Sequence, residues 1–120
     1  MKQLEELVNS DARLVWKGRF VDTSFLVEVG DAPYLIKISE GRVASVTRGP
    51  FVMPSWTFAM RASKETWDQF WLPLPPPGSN DLFAMIKRRV LKIEGDLHPF
   101  MANLLYFKAV MAALRPRGAK

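Results

Sequence analysis

The 120-residue sequence contains no cysteine and only one histidine, His98. The missing cysteines exclude disulfides, thiolate metal ligands and cysteine nucleophiles. A lone histidine has no second imidazole beside it with which to bind zinc. The sequence also lacks a glycine-rich phosphate loop, and no serine, threonine or tyrosine has an obvious partner base. These absences predict a protein that is not an enzyme and that requires neither a metal nor a cofactor.

No apolar run in the sequence is long enough to cross a membrane. The longest, residues 97–114, includes His98, Asn103 and Lys108, and a membrane span requires about 20 mostly apolar residues. The first six residues include two acids and no long apolar run, unlike a signal peptide. Together with the absence of cysteine, these features predict a soluble, cytoplasmic protein. The length fits one domain that covers residues 1–120.

Positive charge is concentrated in the last third of the chain. Of the net charge of +5, residues 1–86 contribute nine basic and ten acidic side chains, and residues 87–120 contribute eight and two. Such a patch suits an anionic lipid, a phosphate group or nucleic acid, or it is merely a solvated face with a basic tail. Nucleic-acid-binding proteins interleave basic residues with exposed aromatic residues. The aromatic residues of this sequence occupy alternating positions that are expected to face the core, so nucleic acid is not an expected partner.

The spacing of apolar residues in the first half of the chain predicts a helix followed by strands. Residues 2–9 have the period of a short helix. Leu14, Trp16 and Phe20 share one parity and basic residues share the other, which predicts a half-buried strand. Residues 25–47 then alternate in three short runs separated by tight turns, which predicts an antiparallel meander.

The second half of the chain combines helices and strands. Residues 56–61 alternate as a strand, and Ser63 is a good N-cap for a helix through residue 71. A second helix over residues 82–89 precedes a strand over residues 91–96, whose final aspartate is expected to cap a last helix over residues 97–114. The order of elements indicates an α+β fold rather than an alternating α/β fold.

The last helix is unusual because it is apolar nearly all round. Beside the main apolar stripe, Tyr106, Phe107, Val110 and Leu114 cover much of the remaining surface. A helix of this kind must be buried on several sides. Three interpretations remain open at this point. The helix is enclosed in the core, packs on a second subunit, or lines a ligand cavity.

Three segments, taken in order, resemble the sterol carrier protein type two family. They are residues 25–46, FLVEVGDAPYLIKISEGRVASV, residues 56–70, WTFAMRASKETWDQF, and residues 82–105, where a short helix leads into LKIEGD and a long apolar helix. The third is the most specific, since the family typically has a strand ending in Gly-Asp before its last helix. The resemblance implies a mixed, mostly antiparallel five-stranded sheet covered by helices, with an apolar tunnel between sheet and helices.

The resemblance also implies a function, which is non-catalytic binding and carriage of a sterol, fatty acid or fatty acyl-CoA. We expect Arg88, Arg89 or Lys92 to contact an anionic head group or an anionic membrane. The alternative is an accessory module that docks through its apolar C-terminal helix on a partner enzyme or in a homodimer. The residues that the resemblance implies as lining of the tunnel are Trp56, Phe58, Met60, Trp67, Phe70, Leu82, Phe83, Ile86, Phe100, Met101, Leu104, Leu105 and Met111.

The sequence departs from the family pattern in two places. Arg88-Arg89-Val90 stands before LKIEGD, where the family usually carries a Gly-Lys or Gly-Arg pair. A proline-rich loop over residues 72–79 is inserted between the two middle helices, near the expected ligand entrance. The ligand class is therefore not transferable from the family. Trp67 and Trp71 also have the bulk to fill the tunnel.

Overall fold

A computed structural model describes residues 3–49, 56–72, 75–79 and 81–114. It confirms the α+β architecture that the sequence predicts. The elements, in chain order, are α1 (Gln3–Asn9), α2 (Ala12–Lys17), β1 (Thr23–Val29), β2 (Ala32–Ser39), β3 (Arg42–Arg48), β4 (Phe58–Ala62), α3 (Lys64–Phe70), α4 (Leu82–Lys87), β5 (Leu91–Gly95), α5 (His98–Ala102) and α6 (Leu104–Ala112).

The strands form one five-stranded sheet in the order β3-β2-β1-β4-β5. The β1–β4 pair is parallel and the other pairs are antiparallel, so the sheet is mixed and mostly antiparallel, as the resemblance implies. β1, β2 and β3 make the predicted meander. The turn between β2 and β3 contains Gly41, whose φ of +79° lies in the left-handed region that favours glycine.

The inner face of the sheet carries the core. Phe25 of β1 lies beside Phe58 of β4, and Val27 lies beside Met60. All four side chains are fully buried, which follows from the period of two along a strand. On the outer face, the Arg61 side chain binds Glu28 of β1 and also Glu94 of β5. This half-exposed ion pair network links three neighbouring strands.

α1 protects one edge of the sheet. The Asn9 side chain accepts a hydrogen bond from the Val43 N–H (2.8 Å) and donates one to the Val43 carbonyl (3.1 Å). The amide therefore occupies the place that a further strand would take beside β3. Edge strands present unpaired backbone groups that invite association, and Asn9 satisfies two of them.

Residues 12–17 form a helix, so the predicted strand of Leu14, Trp16 and Phe20 is wrong. The Asp11 side chain accepts a hydrogen bond from the Leu14 N–H (3.2 Å) and caps α2. Leu14 is buried, whereas Trp16 and Phe20 are exposed. Three apolar residues in so short a stretch fit the period of a helix or of a strand. The hydrogen bond from the Leu14 N–H to the Asp11 side chain favours the helix.

The predicted last helix is divided in two at Asn103, which corrects the single helix over residues 97–114. Asn103 has φ −126° and ψ +36°, and its side-chain amide donates to the Pro99 carbonyl (3.1 Å). Asparagine side chains compete with the backbone for helical hydrogen bonds. The N-cap residue of α5 is Leu97, which makes no side-chain capping bond, so the predicted capping role of Asp96 is wrong. The Asp96 carboxylate instead accepts from the N–H of His98, the first residue of α5 (3.1 Å).

α5 and α6 are less buried than their nearly continuous apolar surface predicts. Tyr106, Phe107 and Val110 of α6 are buried, whereas Met101 of α5 and Leu105 of α6 are exposed. No helix within the described ranges is both long enough and apolar enough to cross a bilayer.

Candidate functional site

The space between the sheet and α5–α6 contains a cluster of aromatic rings. Phe25 and Phe58 stack with their ring centroids 5.2 Å apart. Phe107 of α6 packs edge-on against both rings, at 5.4 and 5.1 Å, and Phe100 of α5 contacts Phe58 at 5.6 Å. Edge-on and offset contacts of this kind are favourable beyond simple burial. The cluster attaches α5 and α6 to the inner face of the sheet.

Tyr106 anchors α6 beside the aromatic cluster. Its hydroxyl donates to the Gly41 carbonyl (2.7 Å), and burial raises the pKa of Tyr106 well above its usual range. The ring lies where Gly18 has no side chain, since a Cβ on Gly18 would be 2.1 Å from the Tyr106 Cε1 atom. The neutral hydroxyl therefore acts as a structural donor that joins α6 to the β2–β3 turn.

Trp67 and Trp71 of the α3 region occupy the neighbouring part of this space. Their rings stack at 5.3 Å. The Trp67 Nε1–H donates to the Glu28 carbonyl (3.0 Å), and the Trp71 Nε1–H donates to the Met111 carbonyl (2.9 Å). Both indoles thus use their apolar faces for packing and their polar atom to join α3 to the sheet and to α6.

The residues predicted to line a tunnel fall into separate groups. Phe83, Met101 and Leu105 are exposed, whereas Trp56, Ile86 and Leu104 are half-buried. The remaining seven are buried, and they are Phe58, Met60, Trp67, Phe70, Leu82, Phe100 and Met111. Because a fully buried side chain touches no space large enough for a water molecule, the structure shows no tunnel along these seven residues.

A cleft at the β5 edge of the sheet combines apolar and cationic side chains. We name it the β5 cleft, and its volume is about 350 Å³, within the range of ligand pockets. Ile93 lies opposite Met60 in the β4–β5 pair, so the apolar side of the cleft continues the inner face of the sheet. The residues that line it are Ile86, Arg89, Leu91, Lys92 and Ile93.

The three predicted head-group residues are separated by the structure. Arg89 and Lys92 both line the β5 cleft. Arg88 instead donates to the Ser79 hydroxyl (3.1 Å), which in turn donates to the Gln69 carboxamide oxygen (3.2 Å). Arg88 therefore holds the end of the proline-rich loop, of which residues 73 and 74 lie outside the described ranges.

Arg89 adopts a backbone conformation that favours glycine. Its φ is +63°, and a left-handed conformation costs a non-glycine residue roughly 1–2 kcal/mol. This is the short stretch before LKIEGD where the sterol carrier protein type two family usually carries a glycine. The chain thus places a guanidinium group at the cleft in a backbone conformation that glycine would adopt without strain.

A second groove lies where α2 meets α5 and α6. We name it the α5–α6 groove, and its volume is about 360 Å³. The groove is lined by Lys17, Met101, Ala102, Asn103, Leu104, Leu105 and Tyr106.

The sequence analysis missed three residues of these two surfaces. Lys17 was missed because the stretch that contains Leu14, Trp16 and Phe20 was predicted to form a strand. Leu91 and Ile93 of the β5 cleft were also missed, although their positions on β5, opposite Ala62 and Met60, indicate that they face inward.

The β5 cleft and the α5–α6 groove both offer apolar contact and positive charge, and neither offers an evident catalytic group. Within residues 3–49, 56–72, 75–79 and 81–114, no cluster of three or more histidine, aspartate or glutamate side chains is arranged to hold a metal ion. Apolar residues beside basic ones can contact the apolar and the anionic parts of one molecule.

Solved structures with the same fold are sterol carrier proteins and related domains. A crystal structure of sterol carrier protein 2 is 11% identical, with a TM-score of 0.77 over 96% of this chain and 92% of that one. A UbiJ-SCP2 ubiquinone synthesis protein is 16% identical, with a TM-score of 0.60 over 97% and 88%. A sec-alkylsulfatase from Pseudomonas is 19% identical, with a TM-score of 0.56 over 80% of this chain but only 14% of the enzyme.

These similarities establish the class of fold. The chain has the sterol carrier protein fold, an α+β domain with a mixed five-stranded sheet, as the resemblance in the sequence implies. No protein-family model matches the sequence, and no curated protein matches it in a sequence search. The apolar tunnel is not shown.

Proposed function

We propose that this protein binds and carries an amphipathic lipid with an anionic end, without catalysing a reaction on it. The apolar part of the lipid packs against Ile86, Leu91 and Ile93, and the anionic end contacts Arg89 and Lys92. One observation carries the proposal, which is that a single cleft of about 350 Å³ is lined by these apolar residues together with Arg89 and Lys92. Among the ligands that the fold suggests, a fatty acid or a fatty acyl-CoA fits this charge better than a sterol.

The buried methionines give the ligand a route beyond the cleft. Met60 lies opposite Ile93 on the inner face of the sheet, directly behind the cleft. Met60, Met85 and Met111 are all fully buried, and methionine adapts to irregular shapes because its side chain is unbranched and flexible. We propose that the acyl chain enters at β5 and displaces these side chains. Burial of about 200 Å² of apolar surface would contribute about 5 kcal/mol.

The test is displacement of a fluorescent fatty acid from the protein by oleic acid, oleyl alcohol and cholesterol. The variant Arg89→Gln/Lys92→Gln is expected to bind oleic acid at least about tenfold more weakly, because charge-assisted contacts to a carboxylate contribute about 1.5–3 kcal/mol, and to bind oleyl alcohol unchanged. Lys37→Gln/Lys64→Gln removes the same charge from exposed sites elsewhere and serves as the matched control. Equal loss in the two variants would contradict a head-group site at the β5 cleft.

An accessory role is the second candidate function, and two similarities favour it. The UbiJ-SCP2 protein is described as a ubiquinone synthesis protein, and the Pseudomonas sulfatase contains this fold as a small part of an enzyme. In that role the exposed Met101 and Leu105 would dock on a partner enzyme or a second copy. A protein that binds none of the three lipids, but is dimeric in sedimentation velocity or co-purifies with one enzyme, would favour this function over carriage.

A further inference from the structure

The two edges of the sheet differ in how they are protected. In the strand order β3-β2-β1-β4-β5, the strands β3 and β5 each have a neighbouring strand on one side only. The Asn9 side chain bonds the exposed backbone of β3 at Val43. Among the described residues, no side chain forms a bond of this kind with the backbone of β5. β5 is therefore the edge at which a further strand can be added.

The hydrogen bonds of β4 show which residues of β5 have free backbone groups. The Ala62 carbonyl accepts from the N–H of Gly30, just after β1 (2.9 Å), so Ala62 directs its carbonyl away from β5. Leu91 lies opposite Ala62, and Ile93 lies opposite Met60. Bonded and non-bonded pairs alternate along an antiparallel pair of strands. Leu91 and Ile93 therefore direct their N–H and carbonyl groups away from β4, to the open edge.

The outer face of β5 carries one charge of each sign, placed symmetrically about Ile93. Lys92 and Glu94 flank this residue and share the outer face, because side chains alternate along a strand. The Lys92 side chain is 74% exposed and lies 3.8 Å from its own Glu94, which also accepts from Arg61 (2.8 Å). A lysine at an edge deters pairing with most strands. The nearby glutamate restricts pairing to a strand that presents the opposite order of charges.

An antiparallel second copy of β5 satisfies both the backbone and the charges. In a pair centred on Ile93, this residue and the partner's Ile93 exchange two hydrogen bonds. Lys92 then lies opposite the partner's Glu94, and Glu94 lies opposite the partner's Lys92. These are non-hydrogen-bonded pairs, in which the side chains approach each other most closely. A shift of the register by two residues would place lysine beside lysine or glutamate beside glutamate, so the charges select one register.

We infer that β5 pairs with β5 of a second copy of this chain, in the antiparallel register centred on Ile93, and joins two five-stranded sheets into a two-fold dimer. The interface lies at β5 and not at the apolar C-terminal helices, for which the sequence predicted a docking role. The inference does not rest on lipid carriage. Pairing uses backbone groups in the plane of the sheet, whereas the side chain of Ile93, which lines the β5 cleft, stands roughly perpendicular to that plane.

The test is sedimentation velocity of the protein without added lipid, at concentrations from about 5 to about 500 μM. A pair of five-residue strands buries less surface than the about 1,200 Å² of a standard interface, so we expect a dimer that dissociates on dilution. Lys92→Glu places glutamate opposite the partner's Glu94 at two symmetry-related positions and is expected to weaken dimerisation at least about tenfold. Lys37→Glu reverses the same charge at an exposed position of β2 and serves as the matched control.

A mixture of two variants tests the register. Glu94→Lys alone is expected to be monomeric, because it places lysine opposite the partner's Lys92. When Lys92→Glu and Glu94→Lys are mixed, opposite charges again face each other between the unlike chains. We therefore expect a heterodimer about as stable as the parent dimer, detected by co-purification of differently tagged chains. The urea midpoint of each variant verifies its folding, since Glu94 also binds Arg61.

Four results would overturn the inference. The first three are a parent that is monomeric at every concentration, a Lys92→Glu variant that dimerises as the parent does, and two folded variants that fail to combine. The fourth is a parent dimer that Met101→Ser/Leu105→Ser dissociates and Lys92→Glu does not, because the interface would then lie at α5 and α6.

Discussion

Tyr106 shows how one buried polar atom controls the position of a whole helix. Its hydroxyl crosses from α6 to the Gly41 carbonyl, 65 residues away in sequence. Because the phenol is desolvated, its pKa is raised, and the neutral form is the one that the fold requires. The sequence placed Tyr106 on an apolar helix but gave no indication of its partner, since nothing local links it to a turn so distant in the chain.

Tyr106→Phe is expected to lower the free energy of unfolding by about 1–3 kcal/mol near neutral pH, because the buried Gly41 carbonyl loses its donor. The unfolded parent releases the Tyr106 proton near pH 10, whereas the folded parent retains it. The contribution of this group is therefore constant below about pH 10 and falls above it by about 1.4 kcal/mol per pH unit. Urea unfolding at several pH values measures both effects, with Tyr34→Phe as the control. A variant with the same alkaline slope as the parent would contradict this explanation.

Arg89 has a strained backbone and also lines the β5 cleft. Its replacement by glycine is therefore expected to stabilise the fold and to weaken ligand binding. Arg89→Gly should raise the stability to urea by about 1 kcal/mol, because φ +63° is unstrained for glycine. The same change should weaken binding of oleic acid. Lys87, the exposed last residue of α4, is the control, and Lys87→Gly should destabilise by roughly 0.5–1 kcal/mol. If Arg89→Gly destabilises the protein as Lys87→Gly does, the backbone at Arg89 is not strained.

Helices and strands form where the local sequence and the tertiary contacts favour the same backbone conformation. Ser63 caps α3 by accepting from the Thr66 N–H (3.1 Å), and the sequence predicted this helix. α2 was predicted incorrectly because the capping bond of Asp11 outweighs an alternation over a few residues. The break at Asn103 was missed because the apolar pattern continues through it. Sequence periodicity therefore predicted which segments are apolar, but not where a side-chain hydrogen bond redirects the backbone.

The contact between α1 and the edge of β3 gives a prediction for an element. Asn9→Ala leaves the Val43 N–H and carbonyl without their side-chain partner, so we expect a loss of about 1–3 kcal/mol in the free energy of unfolding. The freed edge should also promote association, which sedimentation velocity would detect. Ser10→Ala changes the neighbouring residue, whose exposed hydroxyl donates to the Leu7 carbonyl within the same helical turn (3.3 Å), and should have little effect. If both variants behave alike, Asn9 does not protect the edge.

The whole fold was easier to predict than the site. The order of three short motifs was enough to indicate the sterol carrier protein fold, because each motif places one apolar face toward the same core. The ligand-binding surface depends instead on how long side chains pack in three dimensions. Phe58, Met60 and Trp67 were predicted to line a tunnel, and their side chains are packed against one another and their neighbours. The β5 cleft arises where Ile86 of α4 and Arg89, just after α4, meet residues of β5.

Native mass spectrometry tests the central proposal, lipid carriage, most directly. The protein is purified from cells without detergent, measured intact, and then extracted for lipid analysis, with Arg89→Gln/Lys92→Gln measured in parallel. We predict one bound lipid per chain in the parent, with the mass of a fatty acid or fatty acyl-CoA, and a reduced bound fraction in the variant. A parent that remains free of lipid, both as purified and after incubation with oleic acid, would contradict the account.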